Sequence, residues 1–304
     1  MAATTLPGRL LCASASAYAV TEAEDRLDPE AATPFYAGVG FVEPPAAFVA
    51  GDREINACLV GTTADGVGVA FRGTLSLDGP FTIAKLLDWV NNLNVRPVPG
   101  DGLPGGVHEG FLGSLDSLWG AVRDEAKRQM LRAGAAARLL VTGHSKGGAV
   151  AALAAMRFRQ QEGLAANVVT FAAPKPGNTE FADAYDAVMD HVRYEFAEDV
   201  VPHLPPSASF RGVLSAASAL ARRLPDLEQF DYGRVGRLLY VTRALEVVPD
   251  PDGSLLDERR RRILRLVLTG HLQRIGDDHR TACGYGYMSA LNPGEVCPPP
   301  ETAE

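Results

Sequence analysis

The segment VTGHSKGGAV, residues 141–150, restricts the possible folds of this chain more than any other stretch. The apolar run ARLLVTG leads into it and the alanine-rich run AVAALAAMRFRQQ leaves it, which predicts a buried strand that turns sharply into a buried helix. Ser145 lies between glycines at this turn, where strained backbone leaves little room for larger side chains. The G-x-S-x-G pattern in this context predicts a nucleophilic serine at a helix N-terminus, and a purely structural turn is the alternative.

Short strand-like and helical runs alternate along the chain. INACLVG and VGVAFRG flank TTADG, which predicts a hairpin, and NVVTFAAP, HVRYEFA and GRLLYVTR predict further strands. Apolar side chains recur at helical spacing over residues 111–126, and Gly134 is predicted to end that helix. The alternation predicts an α/β fold with a mostly parallel central sheet and helices on both faces. We expect residues 1–304 to form a single domain, since no repeat or low-complexity boundary divides them.

Composition disfavours several functional classes. The 304 residues carry a formal net charge of −8, so we expect no nucleic-acid partner. No apolar run approaches the roughly 20 residues that a membrane-spanning helix needs. The cysteines show neither C-x-x-C nor Cys/His ligand spacing, so we expect no metal, and their disulfide status stays open. They are Cys12, Cys58, Cys283 and Cys297.

The N-terminal stretch, residues 1–20, has Arg9 ahead of a short apolar run that serines interrupt. A cleaved signal peptide normally has a longer uninterrupted apolar region, so we expect an opening helix of the fold instead. The sequence therefore predicts a cytoplasmic protein, with secretion as the alternative.

A serine nucleophile needs a base, and the chain has six histidines. His279 lies in the polar, glycine-rich segment GDDHRTACGYGY, where a loop can carry a base to the edge of the sheet. His271, after LVLTG, is the alternative. The remaining histidines are less suitable by position, His144 because its side chain should point away from the hydroxyl, and they are His108, His144, His191 and His203.

The acid is expected between the serine and the histidine, because α/β-hydrolases follow the chain order Ser, Asp or Glu, His. Asp199 follows the strand-like run VRYEFA in EDVVPHLP, and catalytic side chains collect at strand ends. Glu198, its neighbour, is the competing candidate.

Taken together, the motifs resemble those of the class 3 lipase family, the α/β-hydrolases related to fungal triacylglycerol lipases. The resemblance extends over roughly residues 10–290, and several ordered landmarks are more specific than one serine turn. The landmarks are VAFRGT (69–74), VHEGF (107–111), GHSKGGA (143–149), FAAPKPGN (171–178) and EDVVPHLP (198–205).

The resemblance implies a catalytic triad of Ser145, Asp199 and His279 and an oxyanion hole formed by Thr74 and the backbone amide of Lys146. It implies hydrolysis of carboxylic esters of lipids through an acyl-serine intermediate, with no cofactor and no metal. A phospholipase or lysophospholipase at a membrane surface is the first alternative. A non-catalytic, lipase-like binding protein is the second.

A lid after the FRGT strand is a further implication of the resemblance, and here it would lie at residues 78–94. The segment DGPFTIAKLLDWVNNLN carries an apolar and a polar stripe at helical spacing. We expect Leu86, Trp89 and Val90 to contact the substrate, whereas an ordinary helix packed on the core is the alternative.

Two features depart from the family pattern. Lys146 stands where the family usually has an apolar residue, and a cation in the first turn of a helix opposes the helix dipole. We expect an acidic side chain to pair with it, with contact to a negatively charged substrate group as the alternative. The Arg-rich region at about 207–268 has no clear counterpart, and its run ERRRRILRLVL predicts a solvated helix face, with contact to an anionic membrane as the alternative.

Overall fold

Strands and helices alternate along most of the computed structural model, which describes residues 3, 5–21, 26–27, 35–51, 55–74, 97–205, 231–292 and 294. The strands of these ranges are β1 (Val20–Thr21), β2 (Arg26–Leu27), β3 (Ala46–Ala50), β4 (Asn56–Thr63), β5 (Gly66–Phe71), β6 (Pro97–Pro99), β7 (Gly106–His108), β8 (Leu139–His144), β9 (Ala166–Phe171), β10 (Gly177–Asn178), β11 (Asp190–Phe196), β12 (Tyr232–Gly233), β13 (Arg237–Val241) and β14 (Val247–Pro249). The α-helices are α1 (Leu6–Ser16), α2 (Phe35–Val39), α3 (Glu109–Ala133), α4 (Lys146–Glu162), α5 (Thr179–Asp186), α6 (Gly253–Leu268), α7 (Leu272–Asp278) and α8 (Gly286–Leu291). Ala17–Ala19 and Val201–His203 form single 3₁₀ turns.

An eight-stranded sheet lies at the centre of the described structure, in the order β14-β13-β11-β9-β8-β5-β4-β3. The run from β5 through β8, β9 and β11 to β13 is parallel, whereas β3, β4 and β14 add antiparallel edges. Parallel neighbours require crossover connections, and α4 supplies the one between β8 and β9. The predicted mostly parallel sheet is confirmed, as is the hairpin, which is formed by β4 and β5. A smaller antiparallel sheet, β12-β10-β7-β6, is also present.

Helices cover both faces of the central sheet. On one face α3 and α4 pack against a cluster that includes Val69 and Val141. On the other face α1 and α8 belong to a cluster that includes Ala70 and Leu140. Neighbouring residues of one strand enter different clusters because successive side chains point to opposite faces. The sheet is therefore buried on both sides, as parallel sheets usually are.

Helix α3 covers the sheet over most of one face. His108 caps its N-terminus by accepting a hydrogen bond from the Gly110 amide at 3.1 Å. The helix ends at Gly134, as predicted, with a φ of 89° that a glycine adopts without steric cost. Its buried stripe has the predicted helical spacing and comprises Phe111, Leu115, Leu118, Trp119, Val122 and Ala126.

Helix α4 is buried continuously from Lys146 to Phe158. Its alanines let the backbone approach both the sheet and α3, which confirms the prediction of a helix enclosed by the fold. Arg157 is buried as well, and its Nη1 donates to Asp116 at 2.7 Å while its guanidinium lies 5.3 Å from the Trp119 ring centroid. The position and direction of α4 are therefore fixed by packing between Lys146 and Phe158.

Helix α1 packs on the opposite face of the sheet, so the prediction of an opening helix is confirmed. The Thr5 hydroxyl accepts a hydrogen bond from the Gly8 amide at 3.1 Å, and Leu10 and Leu11 are buried. Among the helices in the described ranges, none combines the length and apolarity that a bilayer span requires.

The cysteines differ in state. Cys12 and Cys58 are buried free thiols, and burial raises the pKa of Cys12 to about 12. Cys283 is disulfide-bonded. Disulfides are typical of oxidising compartments.

Leu115 and Leu131 offer a matched test of the core, because both lie on α3 but only Leu115 is buried, whereas Leu131 is 81% exposed. We expect Leu115→Ala to lower the free energy of unfolding by about 2–5 kcal/mol, since it leaves a cavity. Leu131→Ala should change it by less than about 0.5 kcal/mol. Urea titration followed by circular dichroism measures both values, and equal losses would contradict the orientation of α3.

Candidate active site

Ser145 occupies a strained turn between β8 and α4. Its φ of 57° and ψ of −134° lie where residues other than glycine are rarely found. The Ser145 amide donates to the Phe171 carbonyl at 3.0 Å, and the Gly148 amide donates to the Ser145 carbonyl at 2.9 Å. These backbone hydrogen bonds stabilise the turn and fix the direction of the serine side chain.

The glycines beside the serine are required by close backbone contacts. A Cβ on Gly143 would collide with the carbonyl of Gly147, the second residue of α4. A Cβ on Gly147 would collide with the carbonyl of Phe71 at the end of β5. Small residues are therefore necessary for strand, turn and helix to approach one another at this point.

Three side chains from separate segments meet at the serine. His279 Nε2 lies 2.9 Å from Ser145 Oγ, and His279 Nδ1 lies 3.0 and 3.1 Å from the two carboxylate oxygens of Asp199. A carboxylate only accepts hydrogen bonds, so Nδ1 carries the ring proton and Nε2 is the acceptor for the serine hydroxyl. The structure thus brings the predicted nucleophile, acid and base together.

Asp199 is wholly buried and has further donors. The Tyr287 hydroxyl donates to its Oδ2 at 2.9 Å, and the Val201 amide donates to its Oδ1 at 3.0 Å. Burial, with the nearby Asp199 charge, raises the pKa of Tyr287 well above its usual value, so this hydroxyl keeps its proton. Sequence analysis missed Tyr287, because nothing in the motif CGYGY distinguishes it from Tyr285.

His144 contacts the base from the side of the serine turn. Its Nε2 donates to the backbone carbonyl of His279 at 2.8 Å, and its Nδ1 accepts from the Tyr18 hydroxyl at 3.0 Å. Burial lowers the pKa of His144 well below its usual value, so the ring is neutral. The ring thus bonds the backbone of His279, which agrees with the prediction that it points away from the serine hydroxyl.

The competing acid and base candidates have other partners. His271 Nδ1 bonds the Thr269 hydroxyl at 2.8 Å on an exposed turn. Glu198 binds the guanidinium groups of Arg243 and Arg262. Neither takes the position that His279 and Asp199 occupy.

The two predicted oxyanion donors are Lys146, which directly follows the serine, and Thr74, which follows β5. Lys146 begins α4, so its amide is one of the first N–H groups of a helix, which lack intrahelical acceptors. Thr74 is exposed, three residues after β5 ends. The oxyanion role of both stays a prediction. The lid at 78–94, with Leu86, Trp89 and Val90, lies outside the described residues.

The described residues hold no group of three or more His, Cys, Asp or Glu side chains arranged to bind a metal ion. Ser145, His279 and Asp199 present a hydroxyl, an imidazole and a carboxylate in one hydrogen-bonded row.

Comparison with known proteins shows which proteins the chain resembles. A family model described as Lipase (class 3) matches residues 68–209, which include Ser145 and Asp199. This central part of the chain is therefore similar to class 3 lipases. A lipase from Caenorhabditis elegans is 35% identical over 150 residues, which are 46% of this chain and 38% of that protein. Phospholipase A1-II 3 from Oryza sativa is 28% identical over 209 residues, which are 56% of this chain and 48% of that protein.

Solved structures of lipases share the fold. The lipase of Rhizomucor miehei in complex with its propeptide superposes with a TM-score of 0.61 at 21% identity, over 81% of this chain and 72% of that chain. This likeness confirms the predicted α/β-hydrolase fold. The chain spans less than half the length of the two curated relatives compared with it.

Lys146 departs from the class 3 lipase pattern, and the prediction of an acidic partner is wrong. Its ammonium donates to Asn56 Oδ1 at 2.8 Å, and the Asn56 amide donates in turn to Ser117 at 3.1 Å. A neutral amide satisfies one hydrogen bond but supplies no opposing charge. Burial, and then the nearby Arg72 charge, therefore lower the pKa of Lys146 to about 8.

The Arg-rich segment is the second departure, and one arginine of its described part is buried. The predicted solvated helix face is wrong for Arg259, which is 1% exposed and bound to Glu195. A buried carboxylate needs a charged partner, which explains why this arginine points into the fold. Arg261 and Arg265 on the same helix are exposed, as expected. Residues 206–230 of this segment lie outside the described residues.

Lys146 should give this protein a distinct pH dependence of stability. A lysine in the unfolded chain keeps its proton up to about pH 10.4, whereas folded Lys146 releases it near pH 8. Between these values the unfolded chain binds more protons, so this group makes the free energy of unfolding rise with pH. We expect the difference between wild type and Lys146→Leu to shift in favour of wild type from about pH 8 to about pH 10. Urea titrations at several pH values measure it, and a constant difference would refute the lowered pKa.

Proposed function

We propose that this protein is a serine hydrolase of the class 3 lipase type that cleaves carboxylic esters of lipids through an acyl-serine intermediate. The hydrogen-bonded row from Asp199 through His279 to Ser145 carries the proposal, with 3.0 Å at the first step and 2.9 Å at the second. A turn with a purely structural role has no use for a base and an acid aligned on its hydroxyl.

Proton transfer follows from the tautomer of His279. Nε2 accepts the Ser145 hydroxyl proton while Oγ attacks the ester carbonyl carbon, and the imidazolium then donates this proton to the departing alcohol. Asp199 stays ionised and stabilises the imidazolium through Nδ1. Water, deprotonated by the same Nε2, attacks the acyl-serine in the second half and releases the fatty acid.

The tetrahedral intermediate places negative charge on the former carbonyl oxygen. In this proposal the Lys146 amide, at the positive end of the α4 dipole, and Thr74 donate hydrogen bonds to that oxygen. Each such donor contributes on the order of 3–4 kcal/mol to transition-state stabilisation. The lid at 78–94, with Leu86, Trp89 and Val90 towards the substrate, belongs to the proposal on sequence grounds alone.

Phospholipid cleavage at a membrane surface is the second candidate. The match to the rice phospholipase A1 extends over 56% of this chain, against 46% for the nematode lipase. Exposed Arg261 and Arg265 on α6 would also meet anionic headgroups favourably. Peripheral contact with a lipid surface is compatible with both candidates.

The first prediction for this activity concerns the nucleophile and the base. We expect Ser145→Ala and His279→Ala to lower kcat on p-nitrophenyl butyrate by about 10⁴-fold or more, since each removes a reacting group. His271→Ala is the matched control, because it removes a histidine only eight residues from His279 and should retain most activity. Fluorophosphonate labelling followed by mass spectrometry reports on Ser145 directly. Labelling of the Ser145→Ala variant at the wild-type rate would refute the assignment of Ser145 as the nucleophile. Hydrolysis by the His279→Ala variant at the wild-type rate would refute the assignment of His279 as the base.

The second prediction concerns the substrate. We expect hydrolysis of p-nitrophenyl esters of long acyl chains and of emulsified triacylglycerol, with a rise in rate once the substrate aggregates. Release of fatty acid from phosphatidylcholine vesicles tests the second candidate in the same assay. Higher kcat/KM on the vesicles than on triacylglycerol would favour the phospholipase, and activity on short soluble esters only would contradict both lipid substrates.

A further inference from the structure

Asp199 and His279 each directly follow an acidic residue in the chain. Glu198 precedes Asp199, and Asp278 precedes His279. One guanidinium joins these two neighbours, because Nη2 of Arg243 donates to a carboxylate oxygen of Glu198 and, at 2.6 Å, to Oδ2 of Asp278. Arg243 itself lies in the turn between β13 and β14.

A backbone hydrogen bond strengthens the same connection. The Glu198 amide donates to Asp278 Oδ2 at 3.1 Å, so this one oxygen accepts hydrogen bonds from both Arg243 and the loop after β11 that carries Asp199, here called the acid loop. Both carboxylate side chains are 4% exposed, whereas the Arg243 side chain is 40% exposed. Hydrogen bonds between ionised groups are stronger than neutral ones, and here they are largely shielded from water.

A second arginine supports the acid loop from α6. Arg259 pairs with Glu195, and it donates from Nε to the Ala197 carbonyl at 2.7 Å and from Nη2 to the Asp199 carbonyl at 3.0 Å. The backbone of the acid is thus held independently of Arg243. Arg243 provides a separate link, which runs from this loop to the segment of the base.

Asp199 and His279 lie on segments that are 80 residues apart in the chain. Their spacing therefore depends on tertiary contacts, and a displacement of about 1 Å can lower the rate of an aligned reaction by about 100-fold. Without Arg243, Arg262 would still bind Glu198, but the guanidinium that joins Glu198 to Asp278 would be gone. The ionic link between the two segments that carry the acid and the base would therefore be lost.

We propose that Arg243 is a positioning residue that sets the spacing between Asp199 and His279 by binding the acidic residues before them. The inference rests on the function proposed above. Arg243 acts on the triad through Glu198 and Asp278 and takes no part in bond formation. Its partial exposure means that its loss should affect the alignment of the site more than global stability.

The test compares Arg243→Gln with Arg237→Gln. Arg237 begins the same strand, β13, is 52% exposed and pairs with Asp250 at 3.8 Å, so it matches Arg243 in exposure and pairing but not in its partners. On p-nitrophenyl butyrate we expect Arg243→Gln to lower kcat by about tenfold or more with KM changed less than about twofold. Arg243→Lys should have a higher kcat than Arg243→Gln but a lower one than wild type, because an ammonium supplies the charge but lacks the planar set of donors of a guanidinium. Arg237→Gln should keep wild-type kcat.

A proton NMR measurement separates this inference from the proposed function. The downfield Nδ1 proton of His279, identified by its loss in His279→Ala, reports on the bond to Asp199 whether or not the protein hydrolyses esters. We expect this resonance to move or vanish in Arg243→Gln and to persist in Arg237→Gln. A wild type without esterase activity would refute the proposed function, while the resonance would still test Arg243.

Two results would overturn the positioning role. One is an unchanged resonance and an unchanged kcat in folded Arg243→Gln. The other is an equal loss in Arg237→Gln, which would indicate a general effect of the β13–β14 turn. Should Arg243→Gln fail to fold, Asp278→Asn replaces it, because the amide keeps an acceptor for the Glu198 N–H but removes the charge that binds Arg243. A wild-type resonance in folded Asp278→Asn would likewise refute the proposal.

Discussion

Burial of the Asp199 carboxylate is the constraint on which the rest of the site depends. An ionised group without access to water must find donors inside the protein, and each missing donor would cost on the order of 1–3 kcal/mol. Asp199 receives them from His279, Tyr287 and Val201, which belong to three separate parts of the chain. The loop after β11, the end of α7 and the start of α8 therefore have to converge on one carboxylate.

Ionic contacts around this carboxylate serve geometry more than stability. A buried ion pair gains little net free energy, because desolvation of both charges offsets their attraction. Glu195, Glu198 and Asp278 nevertheless lie at most 4% exposed beside the acid and the base, each bound to arginine. Arrangements of this kind are directional, since a guanidinium accepts only a few orientations of its partners. The Arg-rich helix α6 thus contributes to the interior of the fold through the residue that its sequence pattern predicts to be solvated, Arg259.

Local sterics and hydrophobic periodicity allowed much of the architecture to be predicted from sequence. The turn at Ser145 follows from adjacent glycines and apolar flanks, α3 follows from the spacing of its apolar residues, and its end follows from Gly134. Side-chain partners over long sequence separations were not predictable. The contact between Lys146 and Asn56 joins residues 90 positions apart, and the one between Tyr287 and Asp199 joins residues 88 apart. Both depend on which strands and helices are neighbours in space, which no short motif encodes.

The pair of adjacent imidazoles has an electrostatic consequence. The rings of His144 and His279 lie 4.6 Å apart between centroids, close enough for two positive charges to repel strongly. One ring nitrogen of His144 bonds a carbonyl and the other bonds a hydroxyl, and both partners are uncharged. Burial disfavours the protonated form of this ring. Only one ring of the pair is therefore available to become a cation. The positive charge that develops during proton transfer is confined to the ring that contacts Ser145, and a polarisable neutral neighbour lies beside it.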